Sequence, residues 1–202
     1  MHKNEANKSV FKGLIFVIFR NFSVTIFFGV NNMVILFSRC KSTVQKEIAD
    51  ILYKFGGDLI EDKRIKLGSG DFTVLSVTKP QQLLLKNSIV VFCDENEKFE
   101  NQVLPKGIIA ICDSQNKIAL GILKKNGVAA VTCGNSSKNT VTIASITDNS
   151  AIISLQRTLY DIKGKKIEPA DFKIKLPPKF SPFSVMAAVA VLLLCGKAKK
   201  SD

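Results

Sequence analysis

The chain has 202 residues, 46% of them hydrophobic, with no tryptophan, a single histidine (His2) and a net charge of +12. That is enough for one domain with a proper core and too apolar for a disordered chain. Histidine catalysis and histidine-rich metal sites are excluded in practice, since His2 sits at the very start of the sequence.

Residues 1–32 differ in texture from the rest of the chain. KGLIFVIFRNFSVTIFFGVNN is apolar and aromatic, but Arg20-Asn21 and Asn31-Asn32 interrupt it. A membrane helix needs about 20 apolar residues in a row, and no small-residue cleavage site comes after it, so no transmembrane span is expected. Three readings fit: a weakly membrane-associating leader, an extra strand and helix, or a translated region upstream of a start at Met33. The abrupt onset of regular organisation at Met33 favours the last.

From Met33 the pattern is α/β. MVILF is a short, wholly apolar run of the kind that forms a strand buried on both faces of a parallel sheet. Ser42 and Gln45 have capping-box spacing. Val44, Ile48, Ile51, Leu52 and Phe55 then recur at helical intervals, and Gly56-Gly57 ends the helix. DFTVLSV (71–77), SIVVFC (88–93) and GIIAIC (107–112) read as strands, the first two joined by a connection too short for a long helix. Asp113-Ser114-Gln115-Asn116 leads into a helix, KIALGILKK, ending at Asn126-Gly127, and VAAVTC (128–133) comes next as a strand. This is a compact βαβ unit with a right-handed crossover.

The texture then changes. TVTIASI (140–146), AIISLQRTLYDI (151–162) and DFKIKL (171–176) alternate apolar and polar residues and predict antiparallel hairpins. Pro182 opens a final helix, FSVMAAVAVLLLC, too short to span a bilayer and apolar enough to be buried in a core or docked on a partner. The fold class is α/β: a mainly parallel sheet flanked by helices, with a small antiparallel subsheet in the C-terminal half.

Cys40, Cys93, Cys112, Cys133 and Cys195 are widely spaced, and three of them end apolar runs. Without a CxxC pair or zinc spacing they predict small buried side chains in a reducing cytoplasm, not disulfides or metal ligands. The lysines are scattered, with no arginine-rich stripe and no aromatic-basic alternation, which disfavours nucleic acid as a partner.

The order of these elements resembles the central, ATP-binding domain of the Mur ligase family, which joins amino acids to peptidoglycan precursors. In that family a strand leads into a T-G-T-x-G-K-T/S phosphate loop and a helix. Leu36, Phe37, Ser38, Arg39, Cys40, Lys41 and Ser42 stand in those seven places, keeping the hydroxyls at Ser38 and Ser42 and the lysine but neither glycine nor the first threonine. DFTVLSV looks like the family's D-x-A-V-L-E-V strand, with Ser76 where a glutamate helps to hold magnesium. IVVFCDENE is similar to the segment leading to N-I-x-x-D-H-L-D, without the histidine. IIAICDSQNKIAL resembles V-V-x-N-A-D-D-x-N and keeps Asp113 and Asn116. PKFSPFSVMAAVAVLLLCG lines up with the family's last helix, with Phe180, Ser181 and Ser184 in place of a His and two Asn that lie near the nucleotide. The resemblance covers most of residues 33–196 and takes in only the middle domain of a ligase.

It implies a degenerate relative. Phosphate loops need glycine because backbone N–H groups must approach the anion without a Cβ in the way, and Ser76 carries no charge for a metal. The nucleotide- or anion-binding candidates that remain are Ser38, Lys41, Ser42, Thr43, Asp113 and Asn116. For Asp113 and Asn116 a turn and a helix cap are the plainer reading. Asp94-Glu95-Asn96-Glu97 reads as a solvated acidic loop. GNSSKNT (134–140) reads as a polar connection, with an anion cradle that includes Lys138 as the second reading. The expected function is therefore non-catalytic: binding of a partner protein or an anionic ligand, without a cofactor or metal, linked through kinship to cell-wall metabolism. The alternative is a nucleotide-binding subunit of an ATP-dependent amide ligase, with ATP and magnesium, completed in trans. That alternative requires Lys41 and Ser42 to converge with Asp94 or Asp113.

Overall fold

The computed structural model describes residues 32–38, 42–61, 64–78, 88–95, 102–147, 149–175 and 180–198. The apolar N-terminal segment, Arg39-Cys40-Lys41 and the connection at 79–87 lie outside these residues. Twelve strands and three helices are described: β1 (Asn32–Phe37), α1 (Thr43–Lys54), β2 (Gly57–Glu61), β3 (Arg64–Lys66), β4 (Phe72–Val77), β5 (Ser88–Phe92), β6 (Ile109–Asp113), α2 (Lys117–Asn126), β7 (Ala130–Cys133), β8 (Val141–Ile146), β9 (Ser150–Leu155), β10 (Leu159–Tyr160), β11 (Lys166–Ile167), β12 (Ala170–Lys175) and α3 (Pro182–Leu194).

Ten strands form one sheet in the order β12-β9-β8-β7-β6-β5-β1-β4-β2-β3, and β10 and β11 form a separate antiparallel pair. The six strands from β7 to β2 are mutually parallel. Helices cover both faces of this parallel part. Val34 and Leu36 face a core built with α1 and α3, while Met33, Ile35 and Phe37 face a second core built with α2. Alternate residues of β1 are thus buried on opposite sides, which is why MVILF carries no polar position.

The predicted antiparallel region is continuous with the main sheet. β8 pairs with β7 through Cys133 and Val141 alone, in the parallel sense. β8 therefore starts level with the end of β7 and runs on beyond it, and β9 and β12 pair antiparallel outside it. The run 151–162 is broken into β9 and β10, because Gln156, Arg157 and Thr158 leave the ladder. Two strands escape the sequence pattern: GDLIE forms β2 and RIK forms β3. Only Leu59 and Ile60 are apolar and buried in the first, and all of the second is polar or exposed.

Helix α3 has every residue from Ser184 to Leu194 buried. Its lack of an amphipathic stripe follows from its place between α1 and the sheet. It is a core helix. No helix among the described residues is long and apolar enough to cross a membrane.

Phe37 is fully buried at the end of β1, and its ring meets that of Phe92 edge-on at 5.5 Å between centroids. Phe37→Ala is expected to lower stability by about 3–5 kcal/mol, read from the midpoint of urea unfolding. A loss under about 1 kcal/mol would mean that the end of β1 is not part of the core. Cys93, Cys112, Cys133 and Cys195 are free and buried. Burial pushes the Cys112 thiol up to about 12, with the Asp113 carboxylate beside it adding to the effect. Burial likewise carries Cys195 to about 12 and raises Cys93 and Cys133 well above the ordinary thiol value. Since the thiolate is the reactive form, Ellman's reagent at mildly alkaline pH is expected to leave these four unmodified in the folded protein. Mass spectrometry resolves them residue by residue, and fast labelling of Cys112 or Cys133 would contradict the packing.

Candidate functional site

In an open α/β sheet, ligands bind outside the carboxyl ends of the strands, where the strand order reverses. Here β1 leads through α1 to β2 on one side, while β5, β6 and β7 step away on the other. The reversal falls between β1 and β5, and Ser38 and Asp94 lie just past the ends of those two strands.

The two are in contact. Ser38 Oγ donates to Asp94 Oδ2 at 2.8 Å. Asn116 Nδ2 donates to the backbone carbonyl of Asp94 at 3.0 Å, tying the start of α2 to the same point. Ser42 caps α1, accepting from the N–H of Gln45 at 3.1 Å. The reciprocal half of the capping box is not formed. The Gln45 side chain turns back and donates to the Leu36 carbonyl at 2.9 Å, because a buried amide beside a strand end finds that oxygen before its own helix terminus. Thr43, the first residue of α1, is exposed.

Asp113 accepts from the Gln115 N–H at 2.8 Å, and Asn116 caps α2 through the Ala119 N–H at 2.8 Å. Both therefore serve local turn and cap geometry, as the plainer reading has it. Of the six sequence candidates, Ser38 and Asn116 meet at Asp94, while Ser42, Thr43 and Asp113 serve their own segments. Lys41 is outside the described residues.

The backbone at the loop position is committed to the sheet. The Ser38 N–H donates to the Val77 carbonyl at 3.2 Å, and the Phe37 carbonyl accepts from the Cys93 N–H at 2.8 Å. Where a phosphate loop would leave the strand, β1 is still held by both neighbours.

A second cluster joins α1 to the start of α3. Glu47 Oε2 accepts from the Ser181 N–H at 3.0 Å, from Ser181 Oγ at 2.9 Å and from Ser184 Oγ at 2.6 Å. Ser181 is also the N-cap of α3. A helix N-terminus attracts negative charge, and here the protein's own carboxylate supplies it. Sequence reasoning singled out Ser181 and Ser184 but missed Glu47. No local pattern marks a glutamate 134 residues away from its partner.

Beyond these clusters, a cavity of about 480 Å³ opens at the carboxyl ends of β6 and β7. Its walls are the 113–115 turn, the 134–139 loop and the first turns of α3, with Asp113, Ser114, Gly134, Asn139, Phe183 and Met186 among the lining residues. The short loop between β7 and β8 is what brings Asn139 there. Among the described residues no cluster of three His, Cys, Asp or Glu side chains has the arrangement of a metal site.

No protein-family model matches the sequence, and no curated protein matches it. Among the solved structures that do match is a glycine-to-serine mutant of L. casei folylpolyglutamate synthetase, a member of the Mur ligase family. It is 10% identical with a TM-score of 0.44, and the match takes in 83% of this chain and 58% of that one. The chain thus spans little more than half the length of that structure.

Proposed function

We propose that this chain is a Mur-ligase-like domain that acts in the cytoplasm by binding a partner protein or an anionic ligand, and that it does not ligate. The observation that carries this reading is the state of the end of β1. Phe37 occupies a loop-glycine place with a ring locked into the core, and the Ser38 N–H is spent on Val77. Phosphoryl transfer depends on positioned backbone donors and a metal to carry charge. With the first donors engaged in the sheet and Ser76 in the metal glutamate's place, that stabilisation is lost. Glu47 adds to it, because its carboxylate takes the hydroxyls of Ser181 and Ser184 in the region that faces nucleotide in the family. A role beside cell-wall metabolism rests on the resemblance alone, and a fold hosts many functions.

One observation favours the alternative, a nucleotide-binding subunit completed by another chain. Ser38, Asp94 and Asn116 converge at the reversal of strand order, and the first turn of α1 carries no acidic residue. Adding millimolar ATP with and without magnesium separates the two readings. A ligand that binds only the folded state raises the melting temperature. No rise and no hydrolysis are expected, and magnesium-dependent hydrolysis abolished by Lys41→Ala would overturn the binding-only reading.

The Glu47 cluster has its own test. Glu47→Ala takes the carboxylate acceptor from the Ser181 N–H and from the Ser181 and Ser184 hydroxyls, leaving the two hydroxyls only each other at 2.6 Å, and is expected to cost about 1–3 kcal/mol, with Glu47→Gln falling between it and the native protein. An unchanged unfolding midpoint in Glu47→Ala would show that the carboxylate does not hold α1 to α3.

A further inference from the structure

We propose that the cavity between the 113–115 turn, the 134–139 loop and α3 binds a small, neutral, planar ligand with an amide edge, meaning an N–H donor beside a C=O acceptor. The site is separate from the phosphate-loop position, and it stands whether or not that loop works.

The Asn139 side chain carries the argument. Asn139 is 5% exposed and lines the cavity. Its backbone N–H donates to the Ser136 carbonyl at 2.9 Å, but its carboxamide has no hydrogen-bond partner among the described residues. Buried side-chain amides are nearly always paired, and an exception calls for a reason. A carboxamide offers donors and an acceptor side by side, which is the complement of another amide edge.

Gly134 makes room for it. A Cβ at Gly134 would lie 2.5 Å from Asn139 Nδ2 and 2.6 Å from Ser114 Oγ. Only a residue without a side chain leaves room for both groups beside this backbone. Across from them Phe183 and Met186 supply an apolar wall, with an aromatic ring to lie against a flat ligand and a thioether that adapts to it.

Charge disfavours an anionic ligand. Asp113 is on the lining, and no lysine or arginine is. Lys138 belongs to the same loop but is exposed and not part of the lining. The start of α3, which would otherwise draw an anion, already faces Glu47 and has Pro182 without an N–H at its first position. The cavity volume falls in the range of small-molecule sites.

Asn139→Leu tests the proposal, because the two side chains are close in shape. A residue kept for a ligand and left unpaired in the folded protein can be replaced by an apolar one without loss of stability. The melting temperature of Asn139→Leu is expected to equal or exceed that of the native chain. Uridine, inosine and nicotinamide at millimolar concentration serve as neutral amide-edged probes. At least one is expected to raise the melting temperature of the native protein and to have no effect on Asn139→Leu or on Asn139→Asp, which keeps the shape but loses the donors. Three results would each overturn the proposal: a melting temperature several degrees lower in Asn139→Leu, no response of the native protein to any of the three probes, or a larger response to ATP or inorganic phosphate than to them. A response to a neutral probe without ATP hydrolysis would leave both readings standing, while hydrolysis lost in Lys41→Ala would remove only the binding-only reading.

Discussion

Everything at the functional edge of this protein depends on how the end of β1 is held. The strand lies in the middle of the sheet, hydrogen-bonded to β4 on one side and β5 on the other through Phe37, and buried on both faces. A backbone in that position has no spare donors. The same pairing that makes β1 the spine of the fold engages the Ser38 N–H and the Phe37 carbonyl at its end. An active phosphate loop requires the opposite: a chain that leaves the sheet early, on glycine, with N–H groups turned outward.

Around that spine the polar groups satisfy one another. Ser38 and Asn116 are both bonded to Asp94, so one residue at the end of β5 ties β1 to α2. Glu47 plays the corresponding part on the other face, drawing the start of α3 onto α1. In each case a carboxylate or carbonyl from one segment meets donors from another where the family resemblance implies a nucleotide. Internal pairing of this kind ties segments together, because a buried polar group that has found a protein partner avoids the cost of lying unsatisfied. The cavity beside Asn139 is the contrast: there the carboxamide is buried and has no such partner among the described residues.

The geometry of that cavity is a consequence of topology. A parallel connection ordinarily needs a long crossover, yet seven residues join β7 to β8. The chain manages this because the two strands overlap at one residue pair and β8 continues past the end of β7. The loop is left at the carboxyl edge of the sheet, against the first turn of α3. GNSSKNT is a polar connection within one sheet, and its Asn139 is buried.

Much of this protein was determined locally and could be read from the chain. Apolar runs of five or six residues marked the parallel strands, helical spacing marked α1 and α2, Ser42 and Asn116 marked their caps, and alternation marked β8, β9 and β12. These features follow from short-range sterics and from the need to bury one or both faces of an element. β2 and β3 were not legible, since two buried apolar residues among charges are enough once β4 offers a ladder to pair with. Nor was the fate of the candidate site. The motif order singled out Ser38, Ser181, Ser184, Asp113 and Asn116; Asp113 is engaged within its own turn, but the partners of the three serines were decided by Asp94, 56 residues from Ser38, and by Glu47, 134 and 137 residues from Ser181 and Ser184. The cavity that Asn139 lines was decided in the same way, by the first turns of α3 meeting a loop from earlier in the chain. Sequence sets which groups a protein has available, and long-range packing decides which of them are already spent.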